Sequence, residues 1–185
     1  MVFALDFSSS VSEYEFQKEI DFVRGMSNSW NPENDLEDVV VYGNTAESVR
    51  LNTDSETFSD ELRGLITKAW RQSKGRRIDL ALGKAADNFT LSANEHVVLL
   101  VTAGKQVSDE QSKEDDQELL VSATEALSSK NIKVIILPVG LETDFRELGL
   151  IVRRPQYLFP LSSFDDMKPQ KASDIASYIM ETVGT

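Results

Sequence analysis

The residues best suited to chemistry stand near the start of the chain. Asp6, Ser8 and Ser10 alternate along Asp6-Phe7-Ser8-Ser9-Ser10, directly after the apolar run Val2-Phe3-Ala4-Leu5. If that run is a buried strand, the acid and the hydroxyls follow its C-terminal end, where α/β proteins bind ligands. One carboxylate and two hydroxyls are hard oxygen donors of the kind that suits Mg²⁺ or Ca²⁺. A single negative charge holds a divalent cation poorly, so a complete site needs more than these three. The same residues also have a structural use, since Ser and Asp satisfy the free N–H groups that open a helix. Capping and cation binding are compatible at one turn.

Other constellations carry less. His96 is the only histidine and there is no cysteine. A nucleophilic triad would therefore rest on His96 alone, which reads as a strand-edge residue, and no Gly-x-Ser-x-Gly elbow occurs. Neither a Gly-x-Gly-x-x-Gly turn nor a phosphate-binding Gly-x-x-x-x-Gly-Lys loop is present, so nucleotide binding has no support. No second titrating group pairs with Asp6, and the chain is expected not to be an enzyme. The acids from Asp109 to Glu118 read as a solvated loop and helix start rather than a calcium patch. Trp30, beside Asn31-Pro32, is a candidate surface contact, and Trp70 is undecided. Asn88-Phe89-Thr90 matches the glycosylation acceptor pattern.

The elements that must position these residues alternate along the chain. Strands are predicted at 2–6, 39–43, 48–52, 96–102, 132–139 and 157–161. The runs beginning at His96 and Ile132 are continuous and β-branched, as in strands buried on both faces of a parallel sheet. Amphipathic helices are predicted at 13–27, 59–70, 78–89, 115–130, 145–152 and 173–183. In the first, Phe16, Ile20 and Val23 share a face and Ser12 is the cap. The short link 44–47 makes the second and third strands an antiparallel hairpin at the sheet edge. The expected fold is thus α/β and doubly wound: a mostly parallel six-stranded sheet, one antiparallel edge strand, helices on both faces.

Length and composition agree with one domain over residues 1–185, at 41% hydrophobic and 27% charged. A formal net charge of −12 argues against nucleic-acid binding. It serves solubility, attracts a cationic partner or binds divalent ions loosely. Without cysteine, disulfides and thiolate metal sites are excluded within this segment. No apolar run is long enough to span a bilayer. Met1 reads as a start codon in front of an excised domain.

Taken in order, these pieces resemble a von Willebrand factor type A domain, also called an integrin-type I domain. The match covers 2–10 as first strand and loop, Val39-Val40-Val41-Tyr42-Gly43, 48–52, 60–69, 75–86, 96–105 with its Thr102-Ala103-Gly104 turn, 133–140 and Phe164-Asp165. The resemblance implies a metal-ion-dependent adhesion site built from the Asp and two Ser already named, a Thr before the third helix and an Asp after the central strand. This chain departs at the last two. Ala103 stands where the second acid belongs, and Arg76, or Arg77 with a one-residue slip, stands for the Thr.

Three arrangements follow. Arg76 or Arg77 turns toward Asp6 as a built-in cation. Alternatively both arginines face solvent, and Asp6, Ser8 and Ser10 hold a weak Mg²⁺ or Ca²⁺. In the third, a distant acid such as Asp54, Asp79 or Asp109 replaces the missing carboxylate. The resemblance implies a protein-binding adhesion module of a secreted matrix or cell-surface protein. Its partner would be collagen, another matrix component or a second copy, meeting a face formed by Ser8, Ser10, Arg76, Arg77 and Lys105. An acidic partner could bind such a face without metal. A structural spacer and an intracellular assembly subunit are the alternatives.

Overall fold

In the computed structural model, residues 1–30, 36–52, 75–89, 96–107, 113–152 and 154–183 are described. The strands are β1 (Val2–Asp6), β2 (Leu36–Tyr42), β3 (Ala46–Asn52), β4 (His96–Thr102) and β5 (Ile132–Pro138). The helices are α1 (Glu13–Trp30), α2 (Ile78–Asn88), α3 (Lys113–Ser129), α4 (Phe145–Ile151) and α5 (Pro169–Val183). The helix expected at 59–70, with Trp70, and the acids Asp54 and Asp109 lie outside the described residues, as do Asn31 and Pro32.

One sheet runs β3-β2-β1-β4-β5, parallel except for β3. Alternation along the strands divides the core in two. Phe3, Leu5, Val39, Val41, Leu99 and Leu137 face α1 and α5. Val2, Ala4, Val40, Tyr42, Leu100 and Ile136 face α2, α3 and α4. Because both faces are covered, β1 is buried at every residue, which is why its sequence lacks an alternating polar side. Emptying one such position, Phe3→Ala for example, costs about 3–5 kcal/mol.

The antiparallel edge forms as expected, with Tyr42 opposite Ala46. Its link is tighter than the predicted 44–47: Gly43, Asn44 and Thr45 suffice, and the Gly43 N–H donates to the Thr45 carbonyl at 2.9 Å.

The sixth strand expected at 157–161 is a correction. Among the described residues the sheet has five strands, and that segment contributes only two isolated parallel bridges, Ile136 with Leu158 and Val139 with Leu161. Phe159 donates to the Ile136 carbonyl and Leu161 to the Pro138 carbonyl, both at 2.9 Å. The reciprocal bond between those two would need an N–H on Pro138, and proline has none. The ladder breaks there.

Candidate functional site

The sheet order reverses between β1 and β4, which lie side by side but continue in opposite directions. That switch point opens a crevice at the carboxyl ends of the two strands. Asp6 ends β1, and Ala103 follows β4 across the gap. Arg76 arrives from the segment before α2, paired with Val107 by two backbone bonds of 2.7 and 2.9 Å.

Arg76 lies across the crevice. Its Nε donates to Asp6 Oδ2 at 2.7 Å, and one terminal nitrogen, Nη2, donates to Ser8 Oγ at 3.1 Å and also to Ser10 Oγ. The other, Nη1, donates to the Lys105 carbonyl at 3.2 Å. Asp6 Oδ2 also accepts from the Ala103 N–H at 3.0 Å, and Oδ1 from the Ser8 N–H at 3.0 Å. Asp6 is fully buried and Arg76 only 7% exposed. A planar fork that donates along fixed directions fits such a set; a lysine ammonium would not match it. Gly104 leaves room for it, because a Cβ there would strike the guanidinium.

The residues beneath are also ionisable. Glu19 of α1 is fully buried, and its Oε2 accepts from the Asp6 N–H at 3.0 Å. Its Oε1 has no partner among the described residues. Burial pushes the Glu19 carboxyl well above its ordinary range, and the Asp6 charge adds to this. The bond from Asp6 N–H and the charge of Arg76 oppose the shift without cancelling it. Tyr42 is buried beside them, donates to the Val101 carbonyl at 2.7 Å, and is likewise raised by burial.

Gln106 fastens the loop that Arg76 reaches. It accepts from the Asp79 N–H at 2.9 Å, donates from its side chain to the Asp116 carbonyl at 2.9 Å, and its N–H donates to Glu147. One buried residue, through its side chain and its backbone N–H, thus ties α2, α3 and α4 to the β4 loop.

The expected site residues separate clearly. Asp6, Ser8, Ser10 and Arg76 come together; Arg77 does not join them. Arg77 clasps Asp79 two residues on, at 2.8 and 2.7 Å. That bond also occupies Asp79, so it does not replace the acid missing at Ala103. Of the five residues expected on one ligand face, Ser8 and Arg76 are buried and Arg77 is bound to Asp79; Ser10 and Lys105 are exposed. Asn88 ends α2 and accepts from Ser48 at 2.9 Å. His96 packs at 4.5 Å against the Phe89 ring, at the strand start expected of it.

Sequence reading missed Glu19, Gln106 and the seat at Gly104. Glu19 had a signal: it interrupts the apolar stripe of Phe16, Ile20 and Val23.

The family model for the von Willebrand factor type A domain matches residues 1–172. The chain belongs to this family. Type A domains form a family of protein-interaction and adhesion modules, and many hold a divalent cation at the position of the Asp-x-Ser-x-Ser turn. Solved structures with this fold include proximal thread matrix protein 1 from the mussel byssus, at TM-score 0.68 and 19% identity over 97% of this chain. The type A domain described here spans 46% of that protein. Another crystal of the mussel protein is described as having a zinc-occupied MIDAS motif, at TM-score 0.67 and 19% identity over 97% of this chain and 46% of that one. BatB from Bacteroides thetaiotaomicron matches at TM-score 0.69 and 16% identity, covering 100% of this chain and 98% of that one. These likenesses establish the fold. A comparison with curated protein sequences finds no match.

In this type A domain the oxygens of Asp6, Ser8 and Ser10 face N–H donors, and no group of three or more His, Cys, Asp or Glu gathers among the described residues. A divalent ion would have to displace a buried guanidinium. It would then meet one carboxylate.

Proposed function

We propose that this type A domain recognises another protein through the face at the carboxyl ends of its parallel strands, without a divalent cation at Asp6. A single observation carries the reading: the Arg76 guanidinium bonds the three side chains that would otherwise ligate the ion. Its charge is fixed and balances Asp6 from within. The Asp6, Ser8 and Ser10 set is accordingly vestigial as a metal site and structural as a clasp. The family resemblance supports an extracellular or cell-surface setting with a matrix component such as collagen as partner, and the mussel matrix protein shares the fold. No helix among the described residues is long and apolar enough to cross a membrane.

The test is calorimetric titration with Mg²⁺, Ca²⁺ and Mn²⁺. Wild type is expected to give no saturable heat. The double variant Arg76→Thr, Ala103→Asp, with two acids and no cation in the crevice, is expected to bind. Saturable binding by wild type that is lost in Asp6→Asn would overturn the reading.

A further inference from the structure

The crevice at Asp6 is closed, yet a cleft opens beside it. About 370 Å³ lies between the turn after β5, the start of α1 and the loop before α5. Leu141 forms one wall and is 98% exposed. Gly140 takes a φ of +79° to make that turn, a conformation glycine reaches without strain. The turn is pinned on three sides. The Val139 N–H donates to the Thr102 carbonyl at 2.9 Å, Gly140 N–H to Leu161 at 3.0 Å, and Thr143 Oγ1 to the Gly140 carbonyl at 3.2 Å. The backbone on either side of Leu141 is therefore held in a set place. Phe145, a few residues on, is 54% exposed. A partner that covers this leucine gains by removing its apolar surface from water.

The polar lining decides what that is. Among the described residues, the cleft's only charged ones are Glu15 and Glu142. Glu15 uses Oε2 on the Ser12 N–H at 2.7 Å, closing the cap of α1. Glu142 is exposed. Arg76 is buried and paired with Asp6, and the exposed Lys105 lines the neighbouring cleft beyond Glu142 rather than this one.

We propose that this cleft receives a basic side chain of the partner protein, a lysine or arginine, with a neighbouring aliphatic residue seated on Leu141. The assignment rests on the metal-independent reading above and names the chemistry of its ligand. The carboxylate ligand that suits a metal-bearing face does not suit this one: Glu15 and Glu142 would repel it.

The probes are acetylated dipeptide amides, Leu-Arg against Leu-Glu, titrated at millimolar concentration into the isotope-labelled domain. The Leu-Arg amide is expected to shift the backbone amides of Ser10, Glu15, Leu141, Glu142 and Phe164, less so as salt rises. Leu141→Ser is expected to weaken its affinity, as is the pair Glu15→Gln with Glu142→Gln, in which the new side-chain carbonyl near Ser12 keeps the cap. Each should weaken it roughly fivefold, the factor that about 1 kcal/mol represents. Equal or stronger shifts with Leu-Glu would overturn the assignment, as would no shift with either. Repeating the titration with EDTA and then with Mg²⁺ separates the two readings. Shifts that require Mg²⁺ refute the metal-independent function while leaving the cleft in place.

Discussion

The ends of β1 and β5 lie on the same side of one parallel sheet, and their polar groups are spent differently. At β1, Asp6 gives both carboxylate oxygens to donors within the domain, and Arg76 covers it from solvent. At β5, the backbone of the turn is tied down while Leu141 and Glu142 point outward. A buried charged pair is weak evidence for stability gained over an apolar equivalent, but breaking one is costly. Breaking the contacts at the first end would therefore cost stability, whereas the second end is tied through its backbone and leaves two side chains exposed. On the metal-independent function proposed above, Arg76 serves the β1 end as a clasp and recognition falls to the β5 end.

The sharpest way to break this contrast is at Arg76. Arg76→Met keeps the bulk but leaves the Asp6 carboxylate buried with only backbone N–H donors. Unfolding in urea should show a loss of about 3–5 kcal/mol. A loss under about 1 kcal/mol would mean that water or a cation already compensates Asp6.

Glu19 gives a smaller, pH-dependent effect. Its folded pKa lies above the ordinary value of 4.5, so above that value the unfolded chain releases a proton that the folded chain retains. The contribution is fully present below about 4.5 and is lost as pH rises through the raised value. Glu19→Gln keeps an acceptor for the Asp6 N–H and does not titrate. Its midpoint of denaturation should fall less steeply with rising pH than that of wild type.

The smallest change is expected at the β5 end. Leu141→Ser should leave unfolding within about 0.5 kcal/mol of wild type, the range for surface positions without structural partners. A larger loss would place Leu141 among the structural residues and end the contrast.

Much of this was legible in the sequence, and the limits have physical causes. The β1 run, the two β-branched strands and the hairpin edge carry their own hydrophobic patterns, so their pairing followed. The sixth strand failed because the pattern at 157–161 is that of a strand, while the obstacle, Pro138, lies in its neighbour. Asp6, Ser8 and Ser10 could be grouped by their spacing, and the fold does bring them together. Choosing between Arg76 and Arg77 was not possible from spacing, since either reaches a carboxylate. What separates them is the backbone bridge to Val107, which aims Arg76 inward, and Asp79, which holds Arg77 locally. Glu19 escaped notice because an acid inside an apolar helical stripe reads as a surface residue until the helix is placed on the sheet.

Pro138 has one more effect, on how copies of this domain can meet. Sheets with open edges invite a neighbour's backbone to continue the ladder, the route to fibrous aggregates. Around Pro138 the outer side of β5 is already engaged by Phe159 and Leu161, and the proline offers no donor of its own. An incoming strand finds no run of hydrogen-bonding groups to zip along there. Any oligomer built at this edge must be joined by side chains rather than by a continued ladder.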